Sequence, residues 1–240
     1  MSKINMPGES SADPGFTCWR RFTALWTLKL GATTVVSAIF WTGYIFLSRH
    51  PLVPVHTLPL TWLDEWAGFR PNPWAWIYES IFLLTGVAPW LIVSREELRR
   101  YLIGFTLLSM VSFAVFAIFP VASPRPEDLE GNTLLMFITR MDGPLNAFPS
   151  LHAGCLVYAL ALVRRLFGRR LKPMVVALLL IWAVLILFGT LATKQHYALD
   201  LLAGGLLGWA ADWFAWRTSA AGDNASMKTR RKSVTTSQAG

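Results

Sequence analysis

Between Pro173 and Ala192 the chain reads PMVVALLLIWAVLILFGTLA, an apolar run without a formal charge. A helix of about 20 such residues is long enough to cross the ~30 Å hydrocarbon core of a bilayer. The apolar residues follow one another continuously rather than alternating with polar ones, which favours a helix over a strand. The segment therefore predicts a membrane-spanning helix.

Five further segments share this character, so the sequence predicts six transmembrane helices and an all-α, polytopic membrane protein. None of the five contains more than two Asp, Glu, Lys, Arg or His residues. They are Leu30–Leu47, Ile77–Val93, Tyr101–Phe119, Ala147–Val163 and Tyr197–Trp216.

The composition of the 240 residues supports the same class of protein. Hydrophobic residues make up 54% of the chain and charged residues only 15%, whereas soluble domains carry about 25% charged residues. This balance excludes a disordered chain and argues against a soluble globule. The two cysteines, Cys18 and Cys155, form neither a disulfide framework nor a zinc-binding pattern.

The distribution of lysine and arginine predicts the orientation in the membrane. Of the 22 basic residues, 17 lie in the two tails and in the second and fourth connections between the predicted helices, and 5 lie in the other connections. The positive-inside rule then places both termini in the cytoplasm. The net charge of +8 is explained by this topology, and no nucleic-acid partner is expected.

Three regions follow from this topology. Residues 1–25 form a polar cytoplasmic tail without the features of a cleaved signal peptide. Residues 26–217 form the membrane domain, and residues 218–240 are expected to be a disordered, basic cytoplasmic tail. Short loops favour a bacterial inner membrane, in which the opposite face meets the periplasm.

The ionisable residues near the membrane converge on that opposite face. They lie in three segments, Phe119–Pro126, Ala147–Gly154 and Thr193–Asp200, at the extracytoplasmic ends of predicted helices three to six. Polar groups are costly in a bilayer and usually have a function there. We therefore expect a site at this surface.

Two of the residues suit nucleophilic catalysis. His196 and Asp200 are four residues apart, so on a helix they share a face and can form a hydrogen bond. A carboxylate bonded to one ring nitrogen fixes the histidine tautomer and leaves the other nitrogen free to attack or to take a proton.

The other candidate residues are suited to binding a phosphate and to donating a proton. Pro149–Ser150 predicts the start of a helix with a hydroxyl cap, and such a helix end binds phosphate. His152, one turn further on, could donate a proton to a leaving oxygen. Arg125 and Lys194 could neutralise phosphoryl charge. Together these are the parts of a metal-free phosphoryl-transfer site.

Other interpretations remain open from the residues alone. Each histidine could be a simple interfacial residue, and Lys194 could be a flank that extends to the membrane surface. A zinc site is disfavoured because no His-Glu-x-x-His or Cys-His cluster exists. A lipid transporter would place ionisable groups near the midplane of two repeated halves, and no repeat is found.

Three motifs occur in the order found in one known family: Arg125-Pro126, Pro149-Ser150-Leu151-His152, and His196 followed by Asp200 four residues later. The chain resembles the type 2 phosphatidic acid phosphatase superfamily over about residues 77–216. The family's general pattern is lysine, six residues, Arg-Pro; then Pro-Ser-Gly-His; then Ser-Arg, five residues, histidine, three residues, aspartate.

The chain departs from that pattern at three positions. Ile118 stands where the family has lysine, Leu151 where it has glycine, and Thr190 where it has arginine. These departures are similar to the branch that contains inositol phosphorylceramide synthase and sphingomyelin-synthase-like transferases. Lys194 is a candidate for the missing cation.

The resemblance implies a reaction and a role for each residue. His196 would be the nucleophile that forms a phosphohistidine, with Asp200 orienting it and His152 as the general acid. The phosphate would be held by Arg125, Ser150 and Lys194, without a metal or other cofactor. The implied protein is an integral-membrane phosphatase acting on a lipid-linked phosphate or pyrophosphate, the alternative being a lipid headgroup phosphotransferase. The lipid and the oligomeric state are left open.

Overall fold

The structure is a computed structural model that describes residues 14–237. The remaining residues of the two predicted tails, 1–13 and 238–240, lie outside the described residues. The described chain is helical and contains only isolated β-bridges. Its helices are α1 Pro14–Thr23, α2 Trp26–Arg49, α3 Trp62–Ala67, α4 Trp74–Glu79, α5 Ile81–Val87, α6 Arg95–Ile118, α7 Thr133–Met141, α8 Leu151–Phe167, α9 Pro173–Ala192 and α10 Ala198–Ser237, with short 3₁₀ helices at Ala88–Leu91 and Gly168–Arg170.

Three helices within the described residues are long and apolar enough to cross a membrane. They are α2, α6 and α9, and each coincides with a predicted span. The all-helical membrane fold is thus confirmed in outline, but the prediction of six spans is wrong by these criteria.

The other three predicted spans do not form helices that are long and apolar enough to cross a membrane, and the physical reasons differ. The segment Ile77–Val93 is divided into α4, α5 and a 3₁₀ helix. It breaks at Ser80, whose hydroxyl donates to the carbonyl of Ile77 at 2.6 Å, and Pro89 opens the 3₁₀ helix. Helix α8 has 17 residues, and the aspartates of α10 lower its hydropathy.

Helix α8 lies at the centre of the fold, where it contacts α5, α6, α9 and α10. Two glycines of α10 allow it to approach α8 closely. A Cβ atom at Gly204 would overlap the backbone of Ser150, and one at Gly208 would overlap the backbone of Gly154. Small residues of this kind let helix backbones approach in membrane proteins. The start of α8 is thereby held against the start of α10.

The two ends of α8 differ in the residues that surround them. The His152 end meets the end of α9 and the start of α10, and the other end is basic. There Arg165 pairs with Asp212 at 2.6 Å, and the guanidinium of Arg100 lies 5.4 Å from the ring centroid of Trp216. The ion pair gives the nearly buried Asp212 carboxylate a cationic partner.

The backbone of α10 is helical to Ser237, which differs from the disordered tail expected after residue 217. That tail contains Ala, Met, Lys and Arg residues, which have high helix propensity, as well as the Ser and Thr residues that suggested disorder. The cytoplasmic position of both tails stays a prediction.

Candidate active site

The first part of the site is the start of α8. Ser150 is the N-cap of this helix, and its hydroxyl accepts a hydrogen bond from the backbone N–H of Ala153 at 3.2 Å. The predicted hydroxyl cap is therefore present. The backbone N–H of Ser150 donates to the carbonyl of Asp200 at 3.0 Å, which joins the cap of α8 to the first turn of α10.

The second part is the turn between α9 and α10, which contains His196. Lys194 adopts a left-handed backbone conformation with φ of 56°, and Gln195 donates its N–H to the carbonyl of Thr190 at 3.0 Å. Asp200 accepts from the backbone N–H of Tyr197 at 2.9 Å, so its Oδ2 caps the start of α10. The carboxylate's other oxygen remains directed at His196.

His196 and Asp200 are in contact, as their spacing predicted. His196 Nδ1 lies 3.2 Å from Asp200 Oδ1, within ion-pair distance. Neither atom has a hydrogen-bond partner among the described residues, and the two residues are 5% and 0% exposed.

The two histidines predicted at one surface also touch each other. Nδ1 of His152 lies 2.9 Å from Nε2 of His196, within hydrogen-bond distance. The ring centroids are 5.1 Å apart and the rings meet edge to face. Since Nδ1 of His196 faces Asp200, its Nε2 is the nitrogen that remains for chemistry, and His152 is placed against it.

Tyr78 is a further member of the site, which no sequence motif indicated. Its hydroxyl lies 2.8 Å from Nε2 of His152, and the residue is 1% exposed. Tyr78 lies in an apolar segment beside Glu79, and neither its spacing nor its neighbours distinguish it from a packing residue. The structure thus contains a continuous series of contacts from Tyr78 through His152 and His196 to Asp200.

Arg125 is held by a partner that the sequence did not indicate. Its guanidinium donates to the carbonyl of Asp142 at 2.7 Å and to the Asp142 carboxylate at 3.2 Å. The Nε of Arg125 is buried and has no hydrogen-bond partner among the described residues. The loop that contains Arg125 is bonded to the segment just before α8, because Ala147 donates its N–H to the carbonyl of Val121 at 3.1 Å.

Lys194 is likewise bonded to a residue outside the three predicted site segments. Its ammonium donates to the backbone carbonyl of Asp64 at 2.6 Å, and the Asp64 carboxylate accepts from the N–H of Ala198 at 2.8 Å. Burial lowers the pKa of Lys194, and the nearby negative charge of Asp64 opposes that shift. Lys194 therefore ties the His196 turn to α3, and its binding of phosphate stays a prediction.

Neighbouring histidines are common metal ligands. Within residues 14–237 no group of three His, Cys, Asp or Glu side chains is arranged to hold a metal ion. The paired histidines instead have Tyr78 and Asp200 as their neighbours.

These features define a helical membrane protein with a contacting pair of histidines between the starts of two helices. A family model described as the PAP2 superfamily matches residues 50–214, a range that includes every candidate site residue. The chain belongs to the PAP2 superfamily. The match supports the superfamily but not the narrower branch resembling inositol phosphorylceramide synthase. No curated protein and no solved structure matches the chain.

Proposed function

We propose that this protein is an integral-membrane lipid phosphatase that releases phosphate from a lipid-linked phosphate or pyrophosphate through a phosphohistidine. Membership of the PAP2 superfamily indicates a phosphatase or phosphotransferase type of enzyme. The observation that carries the finer proposal is the contact of His152 Nδ1 with His196 Nε2 at 2.9 Å, with Asp200 behind His196.

In the first step, His196 Nε2 attacks phosphorus and the bond from phosphorus to the lipid oxygen breaks. His152 enters this step with protons on both ring nitrogens, and its Nδ1 proton passes to the leaving oxygen. Asp200 holds the Nδ1 proton of His196 and stabilises the positive charge that develops on its ring.

In the second step, water attacks the phosphohistidine. His152 Nδ1, now without its proton, takes one from the water as the bond from phosphorus to His196 Nε2 breaks. Phosphate leaves and both histidines return to their starting states. Tyr78 suits His152 throughout, because its hydroxyl oxygen can accept a hydrogen bond from Nε2, which keeps its proton in both steps.

The phosphate would bind at the start of α8 and beside the two cations. The exposed N–H groups and dipole of a helix N-terminus favour an anion, and Ser150 is at that position. Arg125 offers a buried Nε without a partner among the described residues, and Lys194 adds a second positive charge. None of these interactions requires a metal.

We place the site at the extracytoplasmic face, with both termini in the cytoplasm, as in a bacterial inner membrane protein whose site faces the periplasm. The basic residues Arg21, Arg100 and Arg165 lie at the end of the fold opposite to the histidines, which the positive-inside rule assigns to the cytoplasm. Near the histidine end, Trp62 and Trp66 are 75% and 60% exposed, as expected for residues in the headgroup layer.

The test is phosphate release by purified protein in detergent containing EDTA, supplied with a panel of phospholipid and polyprenyl phosphates, with and without diacylglycerol or ceramide. His196→Ala should abolish release, and His50→Ala is the matched control, because His50 is an exposed histidine at the end of α2. Equal activity of wild type and His196→Ala would refute the proposal. A new phospholipid without free phosphate would establish the alternative, a headgroup phosphotransferase.

A further inference from the structure

A groove of about 550 Å³ lies on the surface of α6 and contains none of the candidate site residues. Leu28 of α2 and Phe214 of α10 line it, and both of these helices contact α6. The α6 residues that line it recur every three or four positions, so they form one face of the helix. They are Arg95, Leu98, Arg99, Leu102, Ile103, Thr106, Leu107 and Met110.

The groove has one charged end and an apolar remainder. Its two cations, Arg95 and Arg99, belong to the first two turns of α6, and the other described residues that line it are uncharged. Ile103 and Met110 are 38% and 65% exposed, so the apolar part is open to the surroundings of the protein. This division suits an amphipathic ligand with an anionic head and a hydrocarbon tail.

The acidic residues at the start of α6 leave the groove positive. Glu96 and Glu97 are not among the described residues that line it. Glu97 completes the capping box of the helix, and Glu96 is shared between Arg99 and Arg100, each at 2.7 Å. Arg95 and Arg99 are both exposed, and a guanidinium binds a phosphate group well.

The length of the groove matches one leaflet of a membrane. From Arg95 to Met110 the groove runs about 22 Å along α6 at 1.5 Å per residue, and one leaflet measures about 20–22 Å with its headgroups. The charged end lies at the same end of the fold as Arg100 and Arg165, whose guanidinium groups both lie over the ring of Trp216. This is the end assigned above to the cytoplasm.

We propose that the groove binds one anionic phospholipid of the cytoplasmic leaflet, which is not a substrate. Its phosphate lies at Arg95 and Arg99, and an acyl chain follows the face of α6 towards Met110. Cationic side chains near the cytoplasmic surface attract anionic lipids in this way. Because the bound lipid contacts α2, α6 and α10 together, it stabilises the folded protein. The leaflet follows from the orientation proposed above, and the binding is independent of the chemistry at the histidines.

Native mass spectrometry of the full-length protein, titrated with phosphatidylglycerol or with phosphatidylcholine of the same acyl chains, tests the charged end. Arg95→Gln with Arg99→Gln should weaken phosphatidylglycerol binding about thirtyfold, since each arginine contributes about 1 kcal/mol and 1.4 kcal/mol is tenfold. Arg164→Gln with Arg170→Gln is the matched control, because both arginines are exposed and lie outside the groove. Equal weakening in both double variants, or none in the first, would overturn the proposal.

Thermal unfolding in nanodiscs of phosphatidylcholine, with and without phosphatidylglycerol, tests the apolar part. Thr106→Phe would place a ring where the acyl chain is proposed to lie, and Thr34→Phe is the matched control, since Thr34 is an exposed threonine of α2 outside the lining. Phosphatidylglycerol should raise the unfolding midpoint of wild type and Thr34→Phe but not that of Thr106→Phe. An equal rise in all three proteins, or no rise in wild type, would overturn the proposal.

Both experiments are independent of catalysis. Any phosphatidylglycerol held at His196 would bind equally to the groove variants and to their controls, so a difference between them belongs to the groove. If the protein releases no phosphate from any ester but these differences are found, the proposed function fails and the lipid site stands. If phosphate is released and the differences are absent, the reverse holds.

Discussion

Nδ1 of His152 lies 2.9 Å from Nε2 of His196, although the two residues are 44 positions apart in the chain. The contact joins the group proposed to donate the proton to the group proposed to attack phosphorus. A substrate phosphate must come between them, so the hydrogen bond present without substrate has to be exchanged for bonds to the phosphoryl and leaving oxygens. The proposed proton donor is thus already beside the reacting atoms.

The first prediction concerns Asp200. Asp200→Asn should lower kcat by roughly 10²- to 10⁴-fold, because a neutral amide neither fixes the His196 tautomer nor stabilises its positive charge. The fold should be retained, since the amide oxygen can still accept the Tyr197 N–H and asparagine is a good capping residue. Turnover and thermal unfolding measured on the same detergent preparation check both statements.

The second prediction concerns Tyr78. Tyr78→Phe should lower kcat roughly tenfold and leave KM little changed, as expected for the loss of one buried hydrogen bond worth about 1–3 kcal/mol. The Tyr78 hydroxyl oxygen accepts a hydrogen bond from the protonated imidazole of His152 and stabilises that form. Without the hydroxyl, His152 should lose its proton more easily. The high-pH limb of the kcat profile should therefore move to lower pH.

A structural role for Tyr78 alone would give a different result. Loss of thermal stability with an unchanged pH profile in Tyr78→Phe would mean that the hydroxyl packs the site and does not act on His152. The buried ring remains in phenylalanine, so the packing of α4 against α9 is expected to survive the substitution.

The sequence could predict the parts of the site that depend on local spacing. The contact of His196 with Asp200 and the cap by Ser150 each lie within one helical turn, and the spans α2, α6 and α9 are continuous apolar runs. The contact of Tyr78 with His152 joins residues 74 positions apart. Such a contact depends on how α4 packs, which no local pattern contains.

The break at Ser80 cannot be predicted from local sequence for a similar reason. Composition alone makes Ile77–Val93 resemble a continuous span, because serine is tolerated in membrane helices. In the structure the Ser80 hydroxyl donates to the Ile77 carbonyl and accepts from the indole N–H of Trp182 at 2.8 Å. The second partner comes from α9, over a hundred residues later.

The third prediction distinguishes two roles of Arg125, phosphate binding and the ion pair with Asp142. Arg125→Ala should destabilise the protein by about 3 kcal/mol, because the Asp142 carboxylate, whose side chain is 17% exposed, loses its cation. Adding Asp142→Asn should recover most of that stability and none of the activity, if Arg125 binds the phosphate. Stability is measured by unfolding and activity by phosphate release. If the double variant recovered both stability and activity, Arg125 would not be a phosphate-binding residue.

The last prediction concerns the close approach of α8 and α10. At Gly204 an added methyl group would overlap the carbonyl of Ser150, so Gly204→Ala should push the two helix starts apart. We expect a loss of stability of about 1–3 kcal/mol from overpacking, with a fall in kcat of more than tenfold because a displacement of about 1 Å at a catalytic pair is costly.

Gly205→Ala is the matched control for that change. A Cβ atom at Gly205 would lie 3.6 Å from the Val157 side chain, an ordinary van der Waals contact, and alanine has the higher helix propensity. Stability of this variant should equal or exceed that of wild type, with full activity. If Gly204→Ala also kept full activity, the contact between His152 and His196 would not depend on the approach of α8 to α10, and another element would have to hold the two histidines together.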